Sequence, residues 1–410
     1  LSEKKKDING VTMEKERTIF SEDTELSAKA RRNLNILEVL RRKGPLSRTE
    51  ISRVSGINPV TVSHYIDKLI AHDLVYEKEF DVSTGGRRPL LLDINPRAAY
   101  SIGIGINLFS STGVIVDLDG NVLFSCSREK LIASPADFIE ALTSIADQLM
   151  QKTEKVHSKI RGIGIGLGGI IDEKNQIIRW PGANGNEGNY SYVSMPLRQH
   201  MEERYAVPVS IGNDANLACF AEHWLSLDSD VRNVLYMFSG VGCGIMINGE
   251  MYTGSQGSAG EFFLNGSNED LCSYMGDVSF LRQWPQDLGL IARTNLLLRD
   301  RYHMQKEVQN MTEVFSLRLD GVDEIIEDAA RALGMKIAIA VNFLNPEVVI
   351  IGGGFERGGY SFVEKVYGYV KRYAFDEMTK NLKVIASSLG DQAVALGAAN
   401  LVVRNIFSYV

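Results

Sequence analysis

Asn213, Asp214 and Asn216 stand close together in the run VSIGNDANLACFAEHW, residues 209–224 of this 410-residue chain. The run opens apolar and β-branched, as a buried strand does. It breaks on Gly212 and continues into an alanine-rich stretch with helical texture. A strand that ends in Gly-Asn-Asp and passes into a helix sets a carboxylate and two carboxamides at the carboxyl edge of a sheet, where α/β proteins hold ligands. Carboxylates accept from, and amides both accept from and donate to, the vicinal hydroxyls of a polar ligand. The same atoms could instead cap the helix, or Asp214 could act as a general base.

A second chemistry is written near the N-terminus. Residues 29–97 hold 13 Lys and Arg against 8 Asp and Glu, whereas the whole chain carries a net charge of -7. A basic head on an acidic body suits a module that binds nucleic acid fused to one that does not. Residues 33–43 have helical apolar spacing and stop at Gly44 and Pro45. Ser47 with Glu50 three residues on reads as a capping box, with Arg48 and Thr49 in the first turn and Ile51 and Val54 expected inward. Asn58 and Pro59 open a third helix, to about His72, whose outer face is expected to carry Thr61, Ser63, His64, Tyr65 and Lys68. This is the helix-turn-helix layout, in which short hydrogen-bonding side chains let the second helix enter the major groove. Strands at 74–80 and 90–94 would flank a wing whose Arg87 and Arg88, beside glycines, reach phosphates or a narrow minor groove.

The elements that must position these groups follow from the texture of the rest. Residues 1–27 are polar and weakly periodic and are expected to form a flexible leader, residues 28–97 the head, and residues 98–410 an α/β body. In the body, strands fit 101–106, 113–117 and 122–126, the last two joined by a Asp119-Gly120 turn. A helix fits 135–152, a buried strand 160–166, a helix 196–205, and strands 233–238 and 245–248 around the glycines 240, 242 and 244. Helices at 287–301, 322–344, 360–372 and 391–404 and strands at 348–351 and 383–386 complete it, with 255–285 irregular. A similar strand and helix order begins near 100 and near 233, which suggests two lobes facing a cleft. The four cysteines, 126, 219, 243 and 272, form no CxxC pair and fit a reducing compartment. With no signal peptide and no apolar run long enough to span a bilayer, the expectation is a soluble cytoplasmic protein with no membrane partner.

The segments VDLDGNV, GIGIGLGGIID, MPLRQHMEERYAVPVSIGNDANLA, GVGCGIMINGEMYTGSQGSAGE, VVIIGGG and LGDQAVALGAA, in this order across about residues 99–405, resemble the ROK family (repressors, open reading frames, kinases). SRTEISRVSGINPVTVSHYIDKLI and GGRRP resemble the DNA-binding head of its repressor branch. The resemblance implies a two-lobed, actin-like (RNase H-like) ATPase-fold domain with a sugar site between the lobes, preceded by a winged helix-turn-helix domain. It also implies a homodimer or dimer of dimers. It assigns sugar contacts to Gly169, Asn184, Asn213, Asp214 and Glu261.

Departures from the family pattern narrow the function. Kinase members carry an Asp-x-Gly-Gly-Thr turn that serves ATP phosphates and magnesium; here the positions are Gly105, Asn107, Leu108 and Phe109, with no carboxylate. Phosphoryl transfer rests on positioning and charge neutralisation, so losing this turn removes most of what catalysis needs. The family's zinc ligands are also missing: Leu264 stands at the His position, and Cys272, Tyr274 and Ser279 at the cysteines. One thiolate does not hold a structural zinc. The expectation is therefore a non-catalytic regulator without metal or cofactor, a repressor of carbohydrate genes that binds a double-stranded operator and answers to a sugar or sugar phosphate. The alternatives are an ATP-dependent sugar kinase with an appended head, in which Asp214 is the general base, and a DNA-binding scaffold controlled only by protein partners.

Overall fold

The computed structural model describes residues 28–78, 90–106, 110–129, 135–153, 158–168, 170–172, 177–181, 192–239, 242–255, 257–261 and 289–408. The head consists of α1 (Ala28–Lys43), α2 (Arg48–Ser55) and α3 (Pro59–Ala71), followed by the antiparallel pair β1 (Val75–Lys78) and β2 (Leu91–Ile94). The capping box forms as its sequence requires: the Ser47 side chain accepts from the Glu50 amide, and Glu50 accepts from the Ser47 amide at 2.8 Å. Gly56 ends α2 in the left-handed region, with φ of 70°, so that α3 can turn back across it. Ile36, Leu37, Leu40, Ile51, Val62, Ile66 and Leu69 close the head's core.

Two side chains behave otherwise than their spacing suggests. Val54 is exposed, because on a two-turn helix the core reaches Ile51 but not the next turn. Tyr65 is buried rather than outward-facing, and its hydroxyl donates to the Phe407 carbonyl at 2.8 Å. The partner lies more than 300 residues away, out of reach of any local pattern.

The first lobe contains β3 (Tyr100–Ile106), β4 (Ser110–Asp117), β5 (Val122–Glu129), α4 (Pro135–Lys152), β6 (Ile160–Leu167), β7 (Ile170–Asp172), β8 (Ile177–Pro181), β9 (Tyr192–Met195), α5 (Leu197–Tyr205), β10 (Val209–Asn213) and α6 (Asp214–Leu225). Its main sheet runs β10-β6-β3-β4-β5, with β7, β8 and β9 forming a small antiparallel sheet of their own. This small sheet has no forerunner in the sequence reading; a three-residue strand is too short to show alternation. The second lobe contains β11 (Val234–Phe238), β12 (Gly242–Ile247), β13 (Glu250–Met251), α7 (Leu290–Asp300), α8 (Met311–Ser316), α9 (Val322–Leu344), β14 (Val348–Gly352), α10 (Gly359–Tyr373), α11 (Asp376–Thr379), β15 (Lys383–Ala386) and α12 (Ala393–Ser408). Its sheet runs β13-β12-β11-β14-β15.

The Ile/Gly alternation of SIGIGI and GIGIGL explains how the layers meet. Ile102, Ile104, Ile163 and Ile165 point into the core shared with α4, while Gly103 and Gly164 face α12. A Cβ at Gly103 would lie 1.9 Å from the Ala395 carbonyl oxygen, and one at Gly164 2.1 Å from that of Ala398. Helix α12 thus rests on the sheet backbone itself. Helix α6 packs against α12 and against β11 and β12 of the second lobe, so α6 and α12 fill the space between the two sheets. Strand β12 starts three residues earlier than its apolar pattern indicates, because Gly242 and Gly244 belong to the strand that abuts α6 rather than to a turn. No helix among the described residues is long and apolar enough to cross a membrane.

Candidate functional site

The carboxyl ends of β10 and β6 lie side by side, pairing Asn213 with Leu167, and Asp214 begins α6 at that edge. Asn213 is the N-cap: its Oδ1 accepts from the Asn216 amide at 3.2 Å. The capping alternative therefore holds for the oxygen of Asn213, while its amide nitrogen keeps two donors for a ligand. Asn216 is buried within α6 and does not face the cleft as its position in sequence suggests. Asp214 is half-buried; its Oδ1 accepts from the Ala215 amide at 2.8 Å. Its other oxygen lies against Gly168, where a Cβ would stand 3.1 Å from Oδ2.

Glu261 reaches the same place from the second lobe. Its backbone bridges to Gly242 at the start of β12. Gly260 carries φ of +102°, and a Cβ there would meet the Cys243 carbonyl oxygen at 1.9 Å, so only glycine lets Glu261 lie down on the strand. The Glu261 carboxyl remains open to solvent on one side. Burial pushes Asp214 up to about 6. Burial and then the Asp214 charge push Glu261 up to about 7. Near neutral pH the pair offers an ionised acceptor beside a carboxyl divided between its donor and acceptor forms, a combination suited to a polyol.

The head presents Thr49, Asn58 and His64 exposed and Thr61, Ser63 and Lys68 half-buried around the start and outer face of α3. The Asn58 Oδ1 caps α3 by accepting from the Val60 amide at 2.8 Å. Arg48 is engaged within the head, bonded to Asp67 at 2.6 Å and Glu77 at 3.3 Å, so that it ties α2 to α3 and β1. Lys29, which the sequence reading passed over, approaches Lys68; repulsion between the two charges, with some burial, lowers the Lys29 pKa. A phosphate oxygen relieves that kind of repulsion. Gly169, Asn184, Arg87 and Arg88 lie outside the described residues, as do Asn107, Leu108 and Phe109 of the first turn and Leu264, Cys272, Tyr274 and Ser279 of the 262–285 loop.

The sequence pattern of the ROK family matches residues 100–405, and that of a winged helix-turn-helix DNA-binding domain matches residues 30–76. The chain belongs to the ROK family. The xylose repressor of Caldicellulosiruptor bescii is 30% identical over 379 residues, which cover 89% of this chain and 93% of the relative. The crystal structure of a ROK family transcriptional regulator, a homologue of the Escherichia coli Mlc protein, superposes with a TM-score of 0.71 over 93% of this chain and 97% of its own, at 20% identity. A ROK family glucokinase from Streptomyces griseus, solved with glucose and AMPPNP, superposes with a TM-score of 0.58 over 74% of this chain and 99% of its own, at 21% identity. The two-lobed body is thus the ROK fold, and this ROK chain, with its winged head, is a DNA-binding transcriptional regulator.

The glycine run 352–354 at the end of β14 is held by contacts from its own surroundings. Gly353 and Gly354 hold φ of 67° and 104°. The Gly354 amide donates to the Glu356 carboxylate at 2.8 Å, and the Ser239 hydroxyl donates to the Gly353 carbonyl at 2.9 Å.

One expectation arises from Gly168. An alanine there makes the Asp214 carboxylate give way by a few tenths of an ångström, so if Asp214 holds a sugar, Gly168→Ala should lower sugar affinity by up to about tenfold, less than the loss of a whole hydrogen bond to a charged group. Isothermal titration beside a thermal melt checks this, since the fold itself should hold.

Proposed function

We propose that this regulator is a repressor of carbohydrate genes, that its cleft binds a sugar or sugar phosphate through Asn213, Asp214 and Glu261, and that it does not transfer phosphate. The observation that carries the reading is that Asp214, at the start of α6, and Glu261, bridged to the start of β12, lie near enough for the Asp214 charge to help push the Glu261 carboxyl up. Gly169 and Asn184 would add backbone and amide contacts. A ligand that binds both lobes favours one arrangement of them over the other and so shifts the population of the DNA-binding form. Thr49, Asn58, Thr61, Ser63, His64 and Lys68 would face the operator, with Arg87 and Arg88 on its phosphates or minor groove, while Arg48, paired with Asp67 and Glu77, would hold α2 against α3 and β1. We take 28–97 as the head and 98–410 as the body. A sugar panel of D-xylose, D-glucose and N-acetyl-D-glucosamine, scored by melting temperature, tests the cleft; no response to any of them and to their phosphates opposes the reading.

The pH dependence has a definite sign. Both carboxyls are raised in the folded chain, so the acid form is favoured there, and this contribution to stability fades as pH rises through about 6 for Asp214 and about 7 for Glu261. A hydroxyl that donates to Asp214 favours the ionised form instead. Sugar affinity is therefore expected to rise with pH through about 6 and then level, measured by calorimetry from mildly acidic to mildly alkaline buffer. In Asp214→Asn that portion of the profile is flat.

A specific observation favours a second reading, a sugar kinase with an appended head: a carboxyl pushed up to about 6 suits a general base. The first turn argues against it, since Gly105, Asn107, Leu108 and Phe109 supply no carboxylate for a metal-bound phosphate. ATP with magnesium should leave the melting temperature unchanged; a rise, with phosphorylation of the sugar, would establish the kinase.

Two copies would present two heads to one operator. Phe343 is 87% exposed and Phe375 72% exposed, and the Phe375 amide bonds to the Asn342 side chain at 2.9 Å, which brings Phe375 beside the end of α9, where Phe343 and, a turn before it, Ile339 are exposed. Exposed Lys371, Arg372, Asp376 and Glu377 border that face, so a copy related by a two-fold axis can set opposite charges together. This is our candidate dimer surface.

A further inference from the structure

Helix α6 touches all three parts of the molecule. Its first residue is Asp214, in the cleft. Toward its end it is locked to the second lobe by Glu222, a buried carboxylate that accepts from the Ser387 hydroxyl at 2.6 Å, the Ser388 hydroxyl at 2.8 Å and the Leu389 amide at 3.0 Å. Its last turn is held by the head. Arg42 donates to the His223 carbonyl at 3.0 Å and to the Leu227 carbonyl at 2.6 Å, and Arg41 donates to the Trp224 carbonyl. The Arg41 guanidinium also lies over the Trp224 ring, 4.3 Å from its centre.

These contacts are of a kind that moves with the helix. The last carbonyls of a helix have no partner within it and form its negative end, where cations are favoured. In α6 two of them are satisfied by arginines from the last turn of α1, itself part of the DNA-reading head. The helix is also gripped along its length by backbone. A Cβ at Gly244 would fall 2.3 Å from the Ala215 carbonyl oxygen, and one at Gly397 2.0 Å from that of Leu217. A helix so closely packed, with every residue from Ala215 to Trp224 buried, is displaced as a unit rather than bent. Burial and the neighbouring Arg42 push Arg41 down to about 10, a sign of how deeply that charge is set into the junction.

We propose that α6 is the mechanical link between effector and operator, and that Arg41 and Arg42 are the positioning residues that carry its displacement into the head. The proposal rests on the reading of Asp214 as an effector-binding group. In sequence Arg41 and Arg42 are only two of the basic residues that flank the apolar positions of α1; the structure turns them toward the body.

The test uses the full chain, a duplex selected from a random pool by the wild-type protein, and whichever of D-xylose, D-glucose and N-acetyl-D-glucosamine raises the wild-type melting temperature. Sugar affinity, operator affinity and the ratio of operator affinities with and without sugar are measured for wild type, Arg41→Gln/Arg42→Gln, Arg42→Lys and Tyr65→Phe. In the double variant the expected sugar affinity is within about threefold of wild type, while the ratio falls from tenfold or more to under about twofold. Arg42→Lys, which keeps one charged donor for the carbonyls, should recover part of the ratio and covers the case in which the double variant does not fold. Tyr65→Phe removes another bond between head and body without touching α6 and should keep the ratio. A double variant, or Arg42→Lys in its place, that binds both ligands with the wild-type ratio overturns the link alone, as does a Tyr65→Phe that loses the ratio equally. A wild-type ratio of one overturns the effector reading as well.

Discussion

Asp214→Asn is expected to abolish the response to sugar while operator affinity in the absence of sugar stays within about threefold of wild type. The carboxylate lies at the cleft edge, held by the Ala215 amide on one oxygen and against Gly168 with the other. An amide of the same shape keeps the helix start, because the cap is made by Asn213 and not by Asp214. It converts one of the two acceptor oxygens into a donor and removes the charge. Charge-assisted hydrogen bonds of about 1.5–3 kcal/mol each are then lost, so sugar affinity falls roughly ten- to hundredfold or further. Calorimetry gives the sugar term and fluorescence anisotropy the operator term. If operator binding collapses in the sugar-free variant, the residue supports the fold and not the sensing.

Phe343→Asp/Phe375→Asp should convert the protein to monomers and weaken operator binding by about 10²–10⁴-fold, the gain that linking two binding heads supplies. A stable interface buries about 800 Å² on each partner, so these rings act as anchors at the centre of a larger contact. Both are exposed in the single chain, and aspartate is accommodated in water at no structural cost. The variant should therefore melt like the wild type and keep its sugar affinity. Sedimentation of the two proteins beside an operator titration decides the matter: a variant that remains dimeric moves the interface elsewhere on the molecule.

Local rules carried much of the architecture. The Ser47 and Glu50 capping box, the helices Pro135–Lys152 and Val322–Leu344 and the strand Lys383–Ala386 all lie where spacing places them. Each depends on residues within one or two turns of one another. The candidate site was legible in part for the same reason, since Asn213 and Asp214 mark a strand-to-helix edge whatever the rest of the chain does. What escaped local rules depends on distant partners. Tyr65 turns inward for a carbonyl of the closing helix. Arg48 is drawn to Asp67 and Glu77. Arg41 and Arg42 face α6 rather than solvent, because α6 offers carbonyls that its own helix cannot satisfy. The part played by Gly168 is invisible in sequence for another reason: a glycine beside a second glycine reads as a turn until a carboxylate is found against it.

The central claim is that a sugar bound by Asp214 and Glu261 governs operator binding by the head. It is tested most directly by one anisotropy titration of the selected duplex with the wild-type protein, with and without the stabilising sugar. A shift of the midpoint by tenfold or more is the predicted result. Coincident curves with every sugar and sugar phosphate tried, from protein shown to be folded and bound to the duplex, would contradict it.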